Sequence, residues 1–297
     1  MADICPVVNT ERLLLATDGS EFSEGAIRES INLAKRCGST LSAMMVLETN
    51  PEYAAIAPRL LENAEKTAWS HLESVKARAK NEGIDCAIAV HEGEDSYHFI
   101  ADEAAKFNAS MIIMGRRGRK GFKRLMMGST TARVIGHAPC SVLVVPRAAQ
   151  VEFRSILVAT DGSKYSAAAA SEAIGIAKRN AGALTVIAVV PAEIATPADI
   201  EFAMASREQI VETEMHDAEK NAKAVKEAAT KEGIAARAFV MTGKPADAII
   251  ETAKENKSDL IVLGSHGRTG LEKLLMGSVA ERVIVLASSA VLVVKGN

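Results

Sequence analysis

The stretch LLLATDGSEFSEGAI at residues 13–27 returns as ILVATDGSKYSAAAA at 156–170. Each copy reads as an apolar run, a Thr-Asp-Gly-Ser turn and a helix-forming segment. A second pair carries the same message. SMIIMGRRGRKGFKRLMMGST at 110–130 returns as DLIVLGSHGRTGLEKLLMGSV at 259–279, and CSVLVVP at 140–146 returns as SAVLVVK at 289–295. The chain is a duplication, so the architecture must be built twice.

The 297 residues suit two domains of ordinary size. From Asp18 to Gly115 is 97 positions and from Asp161 to Gly264 is 103, so the second copy holds six extra residues, for which its long helix is the natural place. The division is expected in the linker around Arg147–Gln150, giving domains 1–148 and 149–297. So short a linker predicts halves that pack together.

Within each copy, short apolar runs alternate with longer segments of helical period, the pattern of an α/β fold with an open parallel sheet covered by helices on both faces. Strands are predicted over 12–17, 41–47, 84–90, 110–114 and 141–145, and again over 154–160, 184–190, 234–240, 259–263 and 290–294. Helices are predicted over 21–37, with Ser20 as N-cap, and over 59–82, 95–107, 129–137 and 197–232. In the second of these, Leu61, Ala64, Ala68, Leu72, Val75 and Ala79 recur at spacings of three and four and form one buried stripe.

Composition narrows the partners. A formal charge of -2 supplies no global field for nucleic acid or anionic lipid, so neither is expected as a partner. The N-terminus lacks the apolar region of a signal peptide, and no apolar run approaches the roughly 20 residues of a membrane helix. The four cysteines, Cys5, Cys37, Cys86 and Cys140, have neither C-x-x-C nor metal-cage spacing and read as buried or incidental thiols. A cytoplasmic protein is expected.

In an open parallel sheet a ligand sits beyond the carboxyl ends of strands whose connections leave toward opposite faces. Both repeated motifs fall at such ends. If the first and fourth strands are neighbours, Thr17-Asp18-Gly19-Ser20 faces Gly115-Arg116-Arg117-Gly118 across one crevice, and Thr160-Asp161 faces Gly264-Ser265-His266-Gly267 across another. The glycine pattern is Gly-x2-Gly-x9-Gly-Ser: Gly115, Gly118, Gly128 and Ser129, then Gly264, Gly267, Gly277 and Ser278. Glycine removes the Cβ that would hold a phosphate away from peptide N–H groups. Gly128-Ser129-Thr130 and Gly277-Ser278-Val279 then open helices, whose unpaired amides and positive dipole ends favour an anion. A lone glycine in a loop is usually just a turn, but the same spacing twice between strand and helix favours phosphate binding. Asp18 and Asp161 can serve ribose hydroxyls, the base or a hydrated metal near the phosphates; no metal ligand set is assigned. Of the six histidines, only His266 is tied to the ligand. The first loop carries Arg116, Arg117, Arg119, Lys120, Lys123 and Arg124, whereas residues 265–273 hold only Arg268 and Lys273.

These residues resemble the universal stress protein family, specifically its ATP-binding branch, over nearly the whole chain and twice. The carriers are the glycine pattern, the Thr-Asp-Gly-Ser turn, Gly-Ser-His-Gly-Arg at 264–268 and the closing Val-Leu-Val-Val strands. The resemblance implies a Rossmann-like, adenine-nucleotide-hydrolase-like sheet in the order 3-2-1-4-5 in each half. It places adenine by the backbone around Val46 and Val189, and phosphates on the glycine loops, with Arg117 at the site in the first copy. It also implies pairing of the halves through their last strands as an intramolecular pseudo-dimer, with a homodimer of the tandem chain as a further form. The first copy departs from the family in Arg116-Arg117, where Ser-His is usual.

The cofactor expected is ATP, with ADP or AMP as alternatives and Mg as a candidate companion. A Walker P-loop and the Gly-x-Gly-x-x-Gly fingerprint after the first strand are both absent. An ATP-binding sensor is therefore expected; a slow ATPase or phosphotransferase and a scaffold with empty sites are the alternatives.

Overall fold

The computed structural model describes residues 5–7, 10–50, 52, 56–116, 127–191, 204–268 and 276–296, the side chains of 204–210 excepted. The first half runs β1 (Arg12–Ala16), α1 (Glu24–Cys37), β2 (Thr40–Glu48), α2 (Pro58–Asn81), β3 (Cys86–Gly93), α3 (Ser96–Lys106), β4 (Met111–Gly115), α4 (Ser129–His137) and β5 (Ser141–Val145). The second repeats the order as β6 (Ser155–Ala159), α5 (Lys164–Asn180), β7 (Ala183–Pro191), α6 (Met204–Lys231), β8 (Ala236–Gly243), α7 (Pro245–Glu255), β9 (Leu260–Gly264), α8 (Ser278–Leu286) and β10 (Ala290–Val294). Helix α6 has 28 residues against 24 in α2, so part of the extra length lies in the helix as expected.

Each half has the order 3-2-1-4-5, but the two do not form separate sheets. They join in one ten-stranded sheet, β3-β2-β1-β4-β5-β10-β9-β6-β7-β8, with β5 and β10 antiparallel at its centre and Leu143 opposite Leu292. A strand buried on both faces reads as an unbroken apolar run. Val142, Leu143, Val144 and Val291, Leu292, Val293 are all fully buried, and each strand covers the other's open edge.

Helices α1, α2, α5 and α6 cover one face, where Ala26, Ile27, Leu72, Val75, Ala173 and Ala222 pack on Leu13, Leu15, Ile156 and Val158. Helices α3, α4, α7 and α8 cover the other, where Ile100, Val134, Ile135, Ile249, Val283 and Ile284 pack on Leu14, Ile112, Leu157 and Ile261. Both cores run unbroken through the two halves. The predicted stripe of α2 is real: Ala68, Leu72, Val75 and Ala79 are buried, with Leu61 and Ala64 packed beside them.

The connection between the halves is fastened down. The Arg28 guanidinium donates to the carbonyls of Ala149 and Arg147. Gly25 lies so close to the linker that a Cβ there would meet the Pro146 oxygen at 2.4 Å. On the far side, the Asp259 carboxylate accepts the amides of Phe153, Arg154 and Ser155 and so anchors the start of β6.

Two expectations need correction. Cys5 and Cys37 are not separate thiols: they form a disulfide that ties the N-terminal segment to the end of α1. Their separation of 32 residues matches no local motif, because the pairing depends on that segment folding back. Cys86 and Cys140 are free, and burial pushes both thiols up to about 11. Ser20 does not cap a helix with its side chain. Its hydroxyl donates to Asp18 at 2.8 Å, a 3-10 turn (Glu21–Ser23) intervenes, and α1 begins at Glu24. Its counterpart Ser163 does cap α5, accepting the Ser166 amide at 3.1 Å.

Candidate functional site

Strand β1 pairs with β4, and β6 with β9. The connection after β1 leads to α1 on one face and the connection after β4 to α4 on the other, so a crevice opens beyond their carboxyl ends; β6 and β9 repeat the arrangement. In the second half the two motifs touch. The Arg268 amide donates to Asp161 Oδ2 at 2.9 Å, while the Ser163 amide donates to Oδ1 at 3.0 Å. A Cβ on Gly267 would sit 2.9 Å from Asp161 Oδ2. A carboxylate so held presents its remaining lone pairs in a fixed direction.

Burial alone would raise the Asp161 carboxyl. Hydrogen bonds from Ser163, Ser166 and the Arg268 amide outweigh it and hold the group below its ordinary value. Its stabilising contribution is therefore present above the unfolded value of about 3.9 and is lost as pH falls through the folded one. Asp161→Asn is expected to melt below the parent at pH 7, with the gap closing toward pH 3 in calorimetry. A gap of constant size would refute this account of the carboxylate.

The glycines divide by cause. Gly264 is required by packing, since a Cβ would meet Tyr165 backbone atoms at 2.7 and 2.8 Å. Gly277 is not. It has φ -67° and ψ 141°, which any residue adopts, and a Cβ would meet its neighbours only at 3.5 Å or beyond. Gly128 has the same extended backbone, φ -62° and ψ 136°. Gly277 precedes α8, whose first residue, Ser278, is exposed while Val279 is half-buried; Ser129 and Thr130 on α4 match them. Gly115 ends β4 and is buried. Arg117 and Gly118 lie outside the described residues, as do Arg119, Lys120, Lys123 and Arg124.

Thr17 and Thr160 are nearly buried, and their hydroxyls are committed to the turn: Thr17 Oγ1 lies 2.9 Å from Ser23 Oγ, and Thr160 Oγ1 lies 3.4 Å from Ser166 Oγ. Each hydroxyl also accepts the amide of the glycine two residues on, Gly19 or Gly162, and so shapes the turn that carries the aspartate. Asp18 accepts the Ser20 amide at 3.1 Å and is half-buried. Val46 and Val189 occupy the same half-buried position near the carboxyl ends of β2 and β7. The His266 ring packs tilted against Tyr165, with ring centroids 5.1 Å apart, and its Nδ1 lies 3.1 Å from Ser265 Oγ.

One neighbour of the first site had no signal in its spacing. His71, from α2, places Nε2 3.1 Å from Thr17 Oγ1. Its counterpart on α6 is Asn221, whose amide abuts Gly162; each lies twelve positions before the glycine that follows its helix, Gly83 or Gly233. Comparing the repeats at that offset would have found the pair. Among the described residues no group of three or more His, Cys, Asp or Glu is arranged to hold a metal ion.

Two doubly wound halves in one sheet, each with a carboxylate turn opposite a glycine-to-helix junction at its switch point, define a tandem of Rossmann-like α/β domains. The sequence profile described as the universal stress protein family matches residues 9–146 and 152–295, and the chain belongs to that family. A universal stress protein of Methanocaldococcus jannaschii is 41% identical over 145 residues, which cover 48% of this chain and 82% of that protein. One from Bacillus subtilis is 31% identical over 147 residues, covering 48% of this chain and 99% of its own. Among solved structures, a universal stress protein from Archaeoglobus fulgidus superposes with a TM-score of 0.74 at 22% identity, covering 98% of both chains, a likeness of fold. No helix among the described residues is long and apolar enough to cross a membrane.

Proposed function

We propose that the chain is a cytoplasmic regulatory module of two units, 1–148 and 149–297, that binds ATP in each crevice and reports nucleotide state to a partner. The observation that carries this reading is Gly277. Neither its backbone conformation nor any atom of the described residues near its missing Cβ calls for glycine, and it stands at the amino end of a helix opposite a fixed carboxylate. An anionic ligand that must approach the amides of Ser278 and Val279 gives that position its reason.

In this reading the phosphates lie on the helix openings Gly128-Ser129-Thr130 and Gly277-Ser278-Val279. The ribose or a phosphate-bound Mg faces Asp18 and Asp161, and adenine lies by Val46 and Val189. His266 and the loop residues Arg117, Gly118 and Gly267 border the triphosphate. The Arg268 guanidinium is already paired with Glu214 at 2.6 Å, so Arg268 offers the ligand the backbone side of its turn more than a free charge.

The test is to purify the chain without added nucleotide, denature it, and resolve the released nucleotides on anion exchange beside a radiolabelled turnover assay. Intact ATP without multiple turnovers is the expected result. ADP with sustained turnover would make the protein a slow ATPase or phosphotransferase, and no nucleotide at all would make it a scaffold with empty sites.

A further inference from the structure

Each helix that opens at one crevice ends on a cation supplied by the other half. Helix α8 starts at Ser278 in the second crevice, and its C-cap carbonyl, Ala287, accepts a hydrogen bond from Arg116 Nη1 at 2.8 Å. Arg116 is the first residue after β4, and its own carbonyl accepts the Gly128 amide at 3.2 Å in the first crevice. Helix α4 starts at Ser129 in the first crevice. Near its end, the Gly136 carbonyl accepts Lys295 Nζ at 2.9 Å. Lys295 follows Val294, whose carbonyl accepts the Ser265 amide at 3.1 Å, and Ser265 in turn accepts the Gly277 amide at 2.9 Å in the second crevice.

The contacts close a ring: Gly128, Arg116, α8, Gly277, Ser265, the end of β10, Lys295 and α4, back to Gly128. The cationic residues are not repeat equivalents. Ser265 stands where the first half has Arg116, and Pro146 where the second has Lys295. Cations at both carboxyl ends complement the helix dipoles whose positive ends face the crevices. Each helix has nine residues and is about 14 Å long, so the link between crevices is short and stiff.

We infer that the two crevices are energetically coupled through Arg116 and Lys295, so that ATP in one tightens the other. This rests on the nucleotide-binding reading above. A ligand held at the opening beside Gly128 steadies the Arg116 carbonyl that Gly128 binds, and with it the cap Arg116 places on the helix serving the other crevice, so the second ligand then has less freedom left to remove. Coupling between sites typically amounts to about 5-fold or more in affinity.

Isothermal titration of ATP into the full chain tests this, compared with Gly277→Val and Gly128→Val chains that each keep one crevice. The parent isotherm is expected to depart from the sum of the two single-crevice isotherms, the second ATP binding about 5-fold tighter. The full chain carrying Arg116→Met and Lys295→Met is expected to behave as two independent sites. A parent isotherm equal to the sum, or full coupling retained in the Met variant, overturns the inference while leaving nucleotide binding intact. If the double variant does not melt cooperatively, Lys295→Gln alone decides: coupling below about 2-fold supports the link, and undiminished coupling refutes it. An absence of ATP heat in every chain would remove the nucleotide reading itself, and the coupling with it.

Discussion

Replacing Gly128 and Gly277 together with valine is expected to lower ATP affinity by about 100-fold or more while the chain still melts in one cooperative transition. The extended backbone at both positions suits a β-branched residue, and among the described residues a Cβ on Gly277 meets no atom closer than 3.5 Å. The cost falls on the ligand. A side chain over the helix opening keeps phosphate from at least two amides, each charge-assisted bond contributing about 1.5–3 kcal/mol, and a tenfold change in affinity corresponds to about 1.4 kcal/mol. Gly264→Val is the contrasting control. There the added atoms run into the Tyr165 backbone, so stability rather than affinity is expected to suffer first. Titration calorimetry with thermal melting of both variants separates the two effects. Unchanged ATP affinity in a folded Gly128→Val, Gly277→Val chain would rule out these helix openings as the binding site.

The second large effect concerns the middle of the sheet. Halves expressed separately as 1–148 and 149–297 are expected to self-associate, and on mixing to form a one-to-one complex, because separation bares the edges of β5 and β10. Those edges carry Val142, Leu143 and Val144, and Val291, Leu292 and Val293, all buried in the intact chain. An unpaired apolar edge strand recruits another strand. In the intact chain, Leu292→Arg places an uncompensated charge opposite Leu143 and is expected to cost about 3–5 kcal/mol in denaturant unfolding. Monomeric halves in sedimentation, or a Leu292→Arg chain as stable as its parent, would mean that the central pairing contributes little.

What the sequence by itself determined follows from patterns that are local. The parallel α/β class was legible because β4 and β9 are unbroken apolar runs, as is β1 after Arg12, and α2 keeps its stripe from Leu61 to Ala79. The opposition of Asp161 to the glycine loop followed from topology, since a ligand crevice needs β6 beside β9, and the repeat pointed to both strand ends. The reason for each glycine was not legible: Gly264 and Gly277 look alike in the motif, yet one is fixed by Tyr165 and the other is free of such contact.

Tertiary structure alone decided the contacts that join residues far apart in the chain. His71 reaches Thr17 across 54 positions, Lys295 reaches Gly136 across 159, and Arg116 reaches Ala287 across 171. The antiparallel register of β5 on β10 makes one sheet of two, and Cys5 meets Cys37 only after the N-terminal segment folds back onto α1. Periodicity records which face of an element is buried, because spacing along a helix or strand sets direction. It carries no record of which distant polar group a long side chain will find, so Arg116 reads as one more cation in a basic loop until the second half is packed against the first.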